Sequence, residues 1–216
     1  DYKDPNPTRL TKVFAGVKVW VQPGGVANEA LYTMSEKLSS ALQKFIKNGG
    51  GYVGFCAGAF MATDYIGGTK DEGLGIIPGW SPLYHGGYAL EEVKWQGEKR
   101  TIYYEGGPYF YGFDKDPKTP VEVMATYESG DAAAIRASFG KGRVWVTGLH
   151  PEAPLNWTED DGEHDPDGIE QFLAVDMIRW AAKMSAIKHP APVKPVTLKK
   201  RAVKKPTTST SKKPIS

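Results

Sequence analysis

Gly54-Phe55-Cys56-Ala57-Gly58 sets the only cysteine of the chain between small residues at the end of an apolar run. This G-x-nucleophile-x-G pattern suits a sharp strand-to-helix turn that presents a thiol for attack on a carbonyl carbon. A helix starting at Ala57 brings free N–H groups and the positive end of its dipole beside the sulfur, an environment that suits a thiolate. It also aims the Ala57 N–H at the carbonyl under attack. The same stretch can be read as a buried structural cysteine, a small hydrophobe with no chemical task. A second element is "VTGLHPEAP", where His150 and Glu152 directly follow an apolar strand. Residues i and i+2 of an extended segment point the same way, and Pro151 biases His150 toward extended backbone. Glu152 is thereby placed to brace the imidazole, as the third member of a nucleophile, base and orienter set does. The third element is Pro23-Gly24-Gly25, a strand-end loop in which glycine permits close approach of backbone N–H to an oxyanion.

Positioning these residues requires regular elements on both sides of each. Val17 to Gln22 is a β-branched and aromatic run that reads as a strand. Leu31, Met34, Leu38, Leu42, Phe45 and Ile46 recur at helical spacing and predict one helix from Asn28 to Lys47, stopped by the glycines after Asn48. "YVGF" follows as a buried strand, and Ala57 to Tyr65 as a short helix. This order predicts an α/β fold with a parallel sheet covered on both faces. Further along, "ALEEVKW", "RTIYYEG", "VEVMATY", "AAAIRASF" and "RVWVTG" are short strand candidates, the last two pairing antiparallel across Gly140 to Gly142. Ile169 to Met184 closes the body as an amphipathic helix, with Asp167 as N-cap and Glu170 completing a capping box. No apolar run precedes Val13, so the sheet is expected to lack an upstream strand-helix-strand segment.

Of the 27 Lys and Arg residues, nine lie between Lys188 and Ser216 with no acid among them, leaving 18 against 25 acids, or −7, in the rest. The chain therefore divides into a body, residues 1–187, and a basic tail, 188–216, too poor in large apolar groups to fold. Such a tail is either a plain solvated extension or a contact for anionic surfaces, nucleic acid among them. No apolar run approaches the roughly 18 residues of a membrane span. A lone cysteine excludes an internal disulfide, which permits a reducing compartment such as the cytoplasm.

"PGG", "GGGYVGFCAGAFMA" and "GKGRVWVTGLHPE", in this order, resemble the class I glutamine amidotransferase-like superfamily. Within it, "YYEGGPYF" resembles the amidotransferase-like domain at the N-terminus of biotin protein ligases and related free-standing proteins. The resemblance covers roughly Val17 to Trp180. It implies a three-layer flavodoxin-like sheet, mostly parallel with antiparallel strands at one edge, and a nucleophile elbow. It implies a Cys-His-Glu triad on Cys56, His150 and Glu152, and an oxyanion hole from the N–H groups of Gly25 and Ala57. The implied substrate is glutamine or another small amide, with no cofactor and with any ammonia passing to a separate acceptor enzyme. Alternatives are a non-catalytic binding or regulatory module, and a thiol peptidase or deglycase-like hydrolase on the same fold. Gly24, His85, Glu105 and Tyr109 lie in loops that can line the pocket, although loop structure alone also accounts for them. The acidic run Glu159 to Gly168, with His164, does not have calcium-loop spacing and reads as a solvated loop with no metal.

Overall fold

The computed structural model describes residues 12–67, 71–115, 119–160, 162 and 165–187. The basic tail and the expectation that it is disordered lie outside these residues, as does His164. In chain order the elements are β1 (Val19–Gln22), α1 (Ala27–Thr33), α2 (Glu36–Lys47), β2 (Gly51–Phe55), α3 (Ala57–Ala62), β3 (Tyr65–Ile66), β4 (Asp71–Glu72), β5 (Trp80–Ser81), β6 (Tyr88–Trp95) and β7 (Glu98–Glu105). A 3₁₀ turn (Phe113–Lys115) leads to β8 (Val121–Tyr127), β9 (Ala132–Phe139), β10 (Gly142–Thr147), α4 (Leu155–Asp160) and α5 (Gln171–Ala181).

Seven strands form one sheet in the order β1-β2-β10-β9-β8-β6-β7, and β4-β3-β5 form a small second sheet. The fold is mixed α/β, as expected, but the main sheet is mostly antiparallel rather than mostly parallel. Only β1 with β2 and β2 with β10 run parallel. The other four pairings are antiparallel. Connection length is the cause: a parallel neighbour needs a crossover of a dozen or more residues, whereas a two-residue turn forces reversal. β6 and β7 are joined by Gln96 and Gly97, both at positive φ (49° and 89°), as a type I′ hairpin turn requires. Gly140 (φ 59°) turns β9 into β10.

Alternating residues of the central strands enter opposite faces. Tyr52, Val144 and Val146 pack with Leu38, Leu42 and Ile46 of α2 and Met61 of α3. Val53, Phe55 and Trp145 pack with Leu173 and Met177 of α5. The period of two along a strand is what divides the core this way.

Three helices differ from expectation, the smallest change being in α3, which stops at Ala62 while Tyr65 enters β3. The single helix over 28–47 is broken at Met34 and Ser35, because the Ser35 side chain accepts from Leu38 N at 3.2 Å and caps a new start. The capping box at Asp167 does not form: α5 begins at Gln171, with Glu170 at the N-cap and no side-chain cap bond. Asp167 Oδ2 instead accepts from Thr101 N of β7 at 3.2 Å. Among the described residues no helix is long and apolar enough to cross a membrane.

Candidate active site

Cys56 is the junction of β2 and α3, with φ 45° and ψ −102°, a conformation that non-glycine residues rarely adopt. The flanking glycines explain how the chain turns so abruptly. A Cβ on Gly54 would lie 2.4 Å from Gly58 O, and one on Gly58 would lie 2.3 Å from Gln22 O. Cys56 N donates to Thr147 O at 3.0 Å, tying the corner to β10. The residue is 6% exposed, and its thiol donates to Glu105 O at 3.4 Å.

His150 follows β10, 4% exposed, and its backbone N–H donates to Tyr103 O at 2.8 Å. Nδ1 lies 2.9 Å from Glu152 Oε1, so in the neutral ring Nδ1–H donates to the carboxylate. The rings of Tyr103 and Trp157 meet the imidazole edge-on at 6.0 and 5.7 Å. Nε2 is buried without a hydrogen-bond partner among the described residues. A Cβ on Gly24 would lie 2.6 Å from His150 Cε1 and 3.6 Å from Cys56 Cβ. Gly24, Cys56 and His150 thus share one location. The topology accounts for it: β1, β2 and β10 are adjacent and parallel, so their carboxyl ends emerge along the same edge.

Desolvation pulls the His150 imidazole down, but its neighbours Cys56 and Glu152 outweigh burial and hold it up to about 9 from an ordinary 6.5. A raised imidazole contributes stability that is fully present below 6.5 and lost as pH rises through about 9. Glu152→Gln is therefore expected to cost on the order of 1–2 kcal/mol near pH 6, the gap to wild type closing above the raised value. Urea melts at pH 6, 8 and 10 measure it; a gap independent of pH would contradict the assignment.

The remaining expected residues divide. Gly25 follows Gly24 at φ 137°, where a side chain would be strained, and Ala57 is buried directly after Cys56. Glu105 reaches the site through its backbone carbonyl, while its side chain is exposed. His85 is engaged within its own loop, with Nε2 2.7 Å from Glu91 Oε1 and Nδ1 2.9 Å from Gly86 O. Tyr109 packs with Tyr84 and Tyr111 rather than against Cys56 or His150. Tyr103 lies in a Tyr-rich stretch, 103–111, whose composition suits a pocket wall, whereas Trp157, which also encloses the imidazole, has no such signal, because an aromatic in a short helix carries no mark of its neighbour. Gly107 and Gly148 lock the loop after Glu105 to the end of β10: a Cβ on Gly107 would lie 1.8 Å from Gly148 O.

Of the acidic run, Gly162, Pro166 and Gly168 are exposed and Asp165 and Asp167 half-buried, whereas the burial lies just beyond it. Glu170 is 4% exposed, and burial pushes its carboxyl up to about 9, with Asp165 and Asp167 adding to the rise and Arg100 opposing it.

A family model described as "Biotin-protein ligase, N terminal" matches residues 15–76 and 83–188. The chain is 24% identical over 203 positions to a biotin–protein ligase of Schizosaccharomyces pombe, covering 82% of this chain and 31% of that protein. It thus spans about a third of this relative's length. Among solved structures, a glutamine amidotransferase superposes with a TM-score of 0.53 at 22% identity, over 63% of this chain and 72% of the other. At that identity the likeness is one of fold.

Proposed function

The chain belongs to the biotin-protein ligase N-terminal family of glutamine amidotransferase-like domains, and from that premise we propose that it hydrolyses glutamine or another small amide through Cys56. The observation that carries this reading is the placement of a Glu152-bonded imidazole beside the cysteine corner, with Gly24 between them in contact range of both. In the resting arrangement the thiol donates to Glu105 O, and Nε2 of His150 is buried and without a hydrogen-bond partner among the described residues. In the first step the neutral form of the His150 ring takes the thiol proton at Nε2, so that turnover should rise with pH through about 9, and sulfur bonds to the amide carbon. Backbone N–H groups of Gly25 and Ala57 receive the developing oxyanion. The C–N bond then breaks as His150 returns the proton to nitrogen, leaving a thioester and free ammonia. Water, deprotonated by Nε2, attacks the thioester, and carboxylate leaves as the thiol is restored. Glu152 holds the ring through Nδ1 throughout. Ammonia released in this way would serve a separate acceptor enzyme.

Incubation with glutamine and a panel of small primary amides, followed by ammonia assay, tests the reading. Hydroxylamine should intercept the thioester as a hydroxamate, and mass spectrometry of quenched enzyme should find the acyl group on Cys56. No turnover of any amide and no acylation would refute it.

One observation favours a binding or regulatory module instead. A groove of about 1030 Å³, lined in part by Phe14, Lys44, Phe45 and Gly49, lies away from Cys56 and His150, and the cavity of about 10 Å³ that His150 lines is not lined by Cys56. Under that reading Cys56→Ala leaves every measurable property of the protein unchanged.

A further inference from the structure

Asp165, Asp167 and Glu170 each place one carboxylate oxygen so that the three atoms lie within 4.8 Å of one another. Carboxylates this close repel unless positive charge stands among them. Three observations besides the clustering bear on what that charge is. Glu170 is 4% exposed, yet among the described residues its carboxylate takes part in no hydrogen bond or ion pair. Asp167 Oδ1 is buried with no hydrogen-bond partner among the described residues, although Oδ2 accepts from Thr101 N. Asp165 and Glu170 also line the cavity of about 10 Å³, roughly the room of one small ion or one water. The charge of Arg100 acts on Glu170 from a distance, but its Nη2 is bonded to Glu98 at 2.7 Å and its guanidinium lies over the Phe172 ring, so among the described residues it makes no ion pair with the three acids.

The backbone prepares the same geometry. Asp165 Oδ1 accepts from Asp167 N at 3.1 Å and Gly168 N at 3.0 Å, which fixes the turn. Each acid then keeps at least one oxygen unused by these bonds.

We propose that Asp165, Asp167 and Glu170 bind a calcium ion. All-oxygen, anionic donors select a hard divalent cation. Calcium bonds of about 2.3–2.6 Å let trans oxygens stand about 4.6–5.2 Å apart, whereas magnesium bonds allow only about 4.0–4.2 Å. The three oxygens lie within 4.8 Å of one another, a separation that calcium bonds can bridge. Through the Asp167 to Thr101 bond the ion would clip the start of α5 to β7, closing one wall of the cavity beside His150. The clip is structural, so its test does not depend on amide turnover.

The full chain, stripped with EDTA, is titrated with calcium chloride by calorimetry and thermal melting. Saturable heat and a melting temperature that rises by several degrees in millimolar calcium are expected. Terbium should show luminescence sensitised by the nearby Tyr103 and Trp157, displaced by calcium. Glu170→Gln, nearly isosteric, is expected to weaken calcium binding about tenfold or more, because it removes one ligand charge. If Glu170→Gln does not fold, Asp165→Asn keeps the Oδ1 acceptor and provides the same readout. Absence of heat and of any melting shift in millimolar calcium, or unchanged affinity in the folded variant, overturns the proposal.

Discussion

Cys56→Ala is expected to reduce amide turnover by about 10³-fold or more, to the background of the assay. The size of the loss follows from covalent chemistry: without sulfur there is no thioester, and alanine offers no alternative nucleophile. His150→Ala should cost about 10²–10⁴-fold, the usual worth of a positioned acid and base. The double variant should be scarcely worse than Cys56→Ala alone, since a base with no nucleophile to serve has nothing left to contribute. Near-additive losses would contradict a shared step. Both single variants should stay folded, Cys56 being a small buried side chain and His150 lying at a strand end. Circular dichroism and urea melts check this. Turnover retained in Cys56→Ala at wild-type rates would remove the cysteine from the mechanism.

Gly54→Ala is expected to produce the second large effect, a destabilisation of about 3 kcal/mol. The added methyl would meet Gly58 O at 2.4 Å, Gly58 C at 2.5 Å and Ala59 N at 3.0 Å, all of them backbone. No flexible side chain is there to yield, so α3 must move off β2 and take the Cys56 corner with it. Gly86→Ala is the matched comparison, since its Cβ meets nothing within 4 Å and its φ is not positive. Its change should stay within about 0.5 kcal/mol. Equal midpoints for the two variants in urea would show that the corner is more pliable than its contacts indicate.

The strands were legible where alternation and turn residues were strong. "VEVMATY" and "AAAIRASF" coincide with β8 and β9, and the antiparallel pairing of β9 with β10 follows from the turn at Gly140. The β-α-β-α order at the start of the chain predicts a mostly parallel sheet, but the later strands are joined by short connections and pair antiparallel. The break at Ser35 was hidden by apolar residues that keep helical spacing straight through it. Asp167 matched a capping pattern, but Thr101 N, 66 residues earlier, takes its carboxylate instead. A distant backbone donor has no trace in local spacing.

What the chain's order of residues determines unaided is local. Glycines two positions either side of a cysteine dictate a corner, and His-Pro-Glu in extended backbone puts imidazole and carboxylate on one side, as the 2.9 Å contact shows. Everything that joins distant segments was decided by the folded sheet. That His150 lies beside the Gly24 loop and the Cys56 corner depends on β10 pairing with β2 in parallel. That Glu105 offers its carbonyl rather than its carboxylate depends on the loop locked against Gly148. The physical reason is that backbone hydrogen bonds between strands, and the burial they enforce, are formed by partners far apart in the chain, whose choice is made by the whole core at once.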